Sequence, residues 1–179
     1  PVDLTGRWTM TVSPEFAEGR ANICTALEYG VLFVQNGGEI LGGGEKIRDF
    51  KSEPNPCNKS NTKSLFKTYS SGETQIEILG YYTNNYLISD RITFNYKEGG
   101  EKRFSIANLV FQNKDTFTGH YYSNISKAYG KIKLVRDDSL SSYQSGIIKR
   151  YQNGLYFKSS GRDNKWKLKF DLTDKTKQQ

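Results

Sequence analysis

Over the first 136 positions hydrophobic and polar residues alternate with a period of two, broken by turn residues at short intervals. That period places successive side chains on opposite faces of a strand, so each run predicts a half-buried β-strand. In residues 3–13, Trp8, Met10 and Val12 share one face and Arg7, Thr9 and Thr11 the other, and Pro14 is expected to end the strand. Residues 26–35 are apolar on both parities around Val31-Leu32-Phe33-Val34. Such a strand is covered on both sides, or it lies at a partner surface. Asn36-Gly37-Gly38 signals a hairpin turn, and residues 39–47 return through Gly42-Gly43-Gly44. A glycine run after a strand can cradle phosphate, but no helix and no Lys-Ser/Thr pair completes it, so a bend at a barrel corner fits better.

Residues 48–63 read as the longest loop and 64–70 as a short strand. Residues 74–83 align Ile76, Ile78, Gly80 and Tyr82. Residues 86–97 give the most regular alternation, with Tyr86, Ile88, Asp90, Ile92, Phe94 and Tyr96 on one face. Residues 102–112 align Phe104, Ile106, Asn108 and Val110, which are expected to point inward. Phe117, Gly119 and Tyr121, then Gly130, Ile132, Leu134 and Arg136, form the inner faces of two more strands. After Asp137 the period changes. Leu140, Tyr143, Ile147, Ile148 and Tyr151 recur at helical spacing between an acidic start and Lys149-Arg150, predicting a helix of about three turns. A hairpin turning at Asn153-Gly154 is the alternative.

The fold class implied is all-β: an antiparallel up-and-down β-barrel of about 8–10 strands with one late short helix. Its organisation is a barrel core over 1–136, a helix and hairpin extension over 137–172 packed on the barrel, and a disordered tail over 173–179. About eight strands enclose an interior that is either filled or holds one small ligand.

Composition supports this. There are 12 Tyr and 10 Phe against 4 Pro, which favours strands. The net charge of +7 biases the surface towards anionic partners, but the cations are spread along strands and mark no site. No apolar run approaches the roughly 18 residues of a spanning helix. Cys24 and Cys57 are a disulfide candidate in a secreted protein and two unrelated thiols in a cytosolic one. No Cys/His cluster offers a metal site, and no cofactor is implied. His120, the one histidine, falls on the outer parity. With no paired carboxylates and no nucleophile–histidine set, the expectation is binding, not catalysis.

The polar residues assigned to the inner face are Asp90, Asn108, Tyr82, Tyr96 and Tyr121, with Arg136 at a strand end. A lone buried carboxylate is costly. These residues either satisfy the barrel's own groups and buried water, or they orient a ligand between aromatic walls. Tyrosines for stacking and Arg136 for phosphate would suit a nucleotide. Arg136 on an apolar face needs a partner, and the ring face of Trp8 offers one that would close the barrel.

Thr5-Gly6-Arg7-Trp8 resembles the G-x-W first strand of the calycins, the lipocalin and avidin superfamily. The resemblance implies structural roles for Gly6, Trp8 and Arg136, with the guanidinium packed over the indole. Thr118-Gly119-His120-Tyr121-Tyr122 and Tyr129-Gly130-Lys131-Ile132-Lys133-Leu134-Val135-Arg136 are more specifically similar to the final strands of one group of bacterial effectors. These are the two-transmembrane, β-strand-rich effectors of cyclic-oligonucleotide anti-phage (CBASS) signalling. That likeness implies a cyclic oligonucleotide as small-molecule ligand and self-association. It also implies residence at the cytoplasmic face of the inner membrane, reached through a segment outside this chain, with no part for a DNA duplex. The alternatives are a secreted or periplasmic lipocalin-like carrier of an apolar molecule, with Cys24 and Cys57 bridged, and a filled barrel that binds a protein partner.

Overall fold

The computed structural model describes residues 2–18, 25–51, 67–70, 73–98, 103–124 and 127–138. Eight strands follow in chain order: β1 (Gly6–Phe16), β2 (Thr25–Asn36), β3 (Glu39–Lys51), β4 (Gln75–Thr83), β5 (Arg91–Glu98), β6 (Phe104–Asn113), β7 (Thr116–Ser123) and β8 (Tyr129–Asp138). Each pairs antiparallel with the next and β8 closes on β1. Closure leaves no unpaired edge. The architecture is the expected all-β up-and-down barrel, with eight strands, and is compatible with a calycin-like fold. The expected late helix, the hairpin after it and the tail lie outside the described residues, as do Cys24 and Cys57.

The inner face is the hydrophobic parity of nearly every strand. Trp8, Met10, Val12, Val31, Phe33, Ile40, Ile78, Ile92, Phe94, Phe117, Ile132 and Leu134 are almost wholly buried in one core. Aromatic rings run through it in sequence. Phe117 meets Trp8 at 5.9 Å, Trp8 meets Phe33 at 6.2 Å and Phe33 meets Phe94 at 5.9 Å. Tyr96 then meets Phe94 at 6.1 Å and Tyr29 at 6.1 Å. These are the tilted and edge-on contacts that aromatic quadrupoles prefer. Gly42 makes room for this column: a Cβ there would lie 2.8 Å from the Phe33 ring. The glycine run is thus part of the packed wall. At the β2–β3 turn Gly37 takes a φ of 60°, as a two-residue hairpin requires.

Several expected boundaries and faces are corrected. Pro14 does not end β1. It pairs with Gly130, next to a register shift at Phe16, where a bulge tolerates the missing N–H. β3 runs on to Lys51, into the segment expected to be loop, and of the expected strand 64–70 the described part holds only an isolated bridge from Thr68 to Arg48. β5 begins at Arg91, not Tyr86, because Asn85 and Asp90 bond locally and turn the preceding residues into a loop. β6 has the opposite face to the one expected. Ser105, Ala107 and Leu109 are buried, while Phe104, Ile106 and Asn108 are exposed. Ala107 sits opposite Phe94 and Tyr121, and Ser105 opposite Tyr96. At the level of Ala107 the Phe94 and Tyr121 side chains stand on either side of it, so a small side chain fits there. β2 is buried on both parities as expected, with Leu32 at 0% and Val34 at 2% exposure.

Candidate ligand site

The two ends of the barrel carry different chemistry. At one end, residues 2–5 lie across the base and connect four strands. The Leu4 side chain is wholly buried. Its N–H donates to Gln35 Oε1 at 2.8 Å, and its carbonyl accepts from Trp8 Nε1 at 2.9 Å. The Val2 N–H donates to the Tyr82 hydroxyl at 3.0 Å, and that hydroxyl donates to Asp90 Oδ2. Asp90 Oδ1 accepts from the Asn85 N–H at 3.2 Å. Arg136 lies opposite Trp8 in the register and holds its guanidinium 4.3 Å from the indole centroid. It donates to the carbonyls of Thr5 and Asp3 and faces Asp115 at 3.5 Å. Burial lowers its pKa, and Asp115 and Asp3 act against that. Gly6, at φ 144°, takes the backbone shape that lets the segment enter β1. Gly6, Trp8 and Arg136 thus meet at the base, with the guanidinium over the indole.

Among the described residues the other end is hollow. A cavity of about 320 Å³ lies there, with Val12, Leu27 and Pro14 among its apolar walls. Its polar walls come from Tyr29, Lys46, Asp49, Tyr69, Tyr96 and Glu98. Ser105, Tyr121 and Ser123 line the side formed by β6 and β7, and Arg103 stands at the start of β6. Lys46 and Asp49 reach the same cavity because of a bulge. Tyr29 pairs with Lys46 and Glu28 with Arg48, leaving Ile47 extra and resetting the alternation.

Glu98 is the junction of the mouth. It accepts from Lys46 Nζ at 2.7 Å and from the Tyr29 hydroxyl at 3.2 Å. The Lys46 ammonium also lies 5.6 Å from the Tyr29 ring and 5.1 Å from the Tyr69 ring. It is held by one carboxylate and two aromatic faces. Tyr69 donates to Asp49 Oδ2 at 3.0 Å, while Asp49 Oδ1 is enclosed with no hydrogen-bond partner among the described residues. Burial raises the Asp49 carboxyl, against the pull of the Tyr69 hydrogen bond and Lys46. Burial likewise raises the phenols of Tyr29, Tyr96 and Tyr121, so all three stay neutral donors across the physiological range.

The residues proposed from sequence divide three ways. Tyr96 and Tyr121 line the cavity. Tyr82, Asp90 and Arg136 belong to the base, at the opposite end. Asn108 is on the outer surface, accepting from the Thr93 hydroxyl at 2.8 Å, so its expected inward placement is corrected. Tyr29, Lys46, Asp49, Tyr69 and Glu98 were not anticipated. Tyr29 had a readable signal, since it continues the Val31–Phe33 parity. Lys46 and Asp49 had none, because the bulge puts residues three apart on one face, against the period of two from which faces are read. Among the described residues no group of three His, Cys, Asp or Glu side chains is arranged to hold a metal ion. Comparison with protein-family models, with curated proteins and with solved structures gives no match.

Proposed function

We propose that this barrel is a non-catalytic receptor that takes a small molecule into its open mouth, and that the ligand is a cyclic oligonucleotide read base first. The observation that carries this reading is the cavity of about 320 Å³ among Tyr29, Tyr96, Tyr121 and the Lys46–Glu98 pair, at the end opposite the plugged base. That size is at the low end for small-molecule sites and suits one base with its sugar. The rest of such a ligand would stay at the rim, where exposed Arg103 offers a phosphate partner. Tyrosine hydroxyls, Ser105 and Glu98 supply donors and acceptors for a base edge. An apolar cargo fits less well, because it would leave the Lys46–Glu98 pair desolvated and face the enclosed Asp49 oxygen with nothing to bond. The resemblance of 118–122 and 129–136 to the cyclic-oligonucleotide effectors points the same way, and with it come the anti-phage role and self-association as parts of the proposal.

The test is the melting temperature of the protein against cyclic di- and trinucleotides, with fatty acids and retinoids as the apolar set. Ligand that binds only the native state raises the midpoint by mass action. A rise with one cyclic nucleotide is expected, lost in Glu98→Gln and kept in Arg136→Ala, whose own midpoint is lower. A rise with apolar ligands alone would replace the proposal with a carrier. No rise with any would remove the receptor reading.

A further inference from the structure

The outer face of the wall β5-β6-β7-β8-β1 has a composition unlike an ordinary solvated surface. Directly paired positions define a row across it: Asn95, Ile106, Tyr122, Tyr129 and Phe16. Ile106, Tyr122, Tyr129 and Phe16 are 39%, 47%, 49% and 46% exposed. Phe16 and Tyr129 stack at 5.2 Å with 17° between their planes, each covering part of one face of the other and leaving the outer faces of the stack for a further ring. The next outward row is Thr93, Asn108, His120, Lys131 and Ser13, and the one after it Arg91, Val110, Thr118, Lys133 and Thr11. Lys97 stands beside Phe104 at the near end of the same wall. These rows hold Arg91, Lys131, Lys133 and His120 and no carboxylate. Glu15, at the bulge beside Phe16, reaches Lys131 at 3.6 Å, an exposed pair that water and salt weaken.

We propose that this face binds single-stranded nucleic acid, with bases on Tyr122, Tyr129 and Phe16 and the phosphate backbone along Lys131, Lys133 and Arg91. Rows of one strand face lie about 7 Å apart, two residues of rise, so Lys131 stands one row from the aromatic row and Lys133 and Arg91 stand two rows from it. Aromatic side chains in front of a positive track are what a single strand requires. Every base has a face to stack, and released counterions supply the affinity. A duplex buries its base faces and cannot use the platform. Charge complementarity selects this occupant: the face is cationic and the whole chain carries +7. The site lies on the outside of the barrel and is independent of the cavity.

The experiment is fluorescence anisotropy of a labelled 12-nucleotide oligo-dT or oligo-U with the whole chain, in roughly 50 and 200 mM salt. Binding is expected, steeply weakened by salt, with the matching duplex bound less well. Tyr122→Ser and Tyr129→Ser should each weaken it at least about fivefold. Lys131→Ala and Lys133→Ala should each reduce the salt slope by roughly 0.7. All four side chains are exposed, so circular dichroism of the variants should match the parent. Absence of binding at low salt would overturn the proposal. So would binding that the tyrosine variants leave unchanged, or binding only to vesicles of acidic lipid.

Discussion

The base and the mouth of this barrel are built from the same strands yet solve opposite problems. At the base, residues 2–5 bring backbone N–H and C=O groups across the opening; Gln35, Tyr82 and Trp8 each take one and Arg136 takes two. Polar side chains there are spent on the protein itself. At the mouth, the polar side chains pair sideways: Lys46 with Glu98, Tyr29 with Glu98, Tyr69 with Asp49. Sideways pairing satisfies the groups without filling the space between them. The aromatic column changes accordingly, from Phe117, Trp8, Phe33 and Phe94 near the base to Tyr96 and Tyr29 near the mouth. Residues 2–5 thus close one end of the barrel, while the polar groups at the other end line a cavity.

The largest expected effect is at the base. Trp8→Ala removes the ring at the centre of the column and the support of Arg136, and should cost ~3–5 kcal/mol, read in urea unfolding. The mouth is expected to be less sensitive in stability and more in binding. Glu98→Gln leaves the Lys46 ammonium among tyrosine rings and should cost about 2 kcal/mol, while removing the ligand-induced rise in melting temperature. A loss of ligand response in a folded Trp8 variant, with Glu98→Gln responding normally, would break the contrast between the ends. Tyr82→Phe deletes the hydroxyl shared by Val2 and Asp90 and should cost about 1 kcal/mol, with faster amide exchange at Val2 and Leu4.

The smallest effect is a pH dependence carried mostly by the mouth, with Tyr82 at the base raised in the same direction by burial and its bond to Asp90. Tyrosine ordinarily ionises near pH 10, and burial raises Tyr29, Tyr96 and Tyr121 above that. Above about pH 10 the unfolded chain releases these protons while the folded chain keeps them, so stability falls as pH rises from there towards the raised values. Below about pH 10 the contribution is fully present. Tyr29→Phe and Tyr96→Phe should each flatten the alkaline slope, and Trp8→Ala should leave it unchanged.

The fold was legible because alternation survives in most strands, the doubly buried β2 and the glycine-rich β3 being the exceptions. It misled in β6, where Phe104 and Ile106 are apolar but outward, Ala107 is small between Phe94 and Tyr121, and Ser105 faces the cavity. Packing volume decides that parity, and volume across the barrel is not written in one strand. The base was legible in part, since an arginine on an apolar strand face demands a partner and Trp8 was the available ring. The same logic put Tyr82 and Asp90 in a ligand site, when they serve the N-terminal segment. The mouth was mostly illegible. Its key pair joins β3 to the last residue of β5, and the bulge at Ile47 that turns both Lys46 and Asp49 inward breaks the pattern from which strands are read.

The central claim is that ligand enters at the Tyr29–Glu98 end. The most direct test is an amide and side-chain chemical-shift map of the protein titrated with the cyclic nucleotide that raises its melting temperature most. The account predicts shifts concentrated at Tyr29, Lys46, Tyr96, Glu98 and Tyr121, with Leu4, Trp8, Tyr82 and Arg136 unmoved. Shifts centred on Trp8 and Arg136, or none anywhere at saturating ligand, would contradict it.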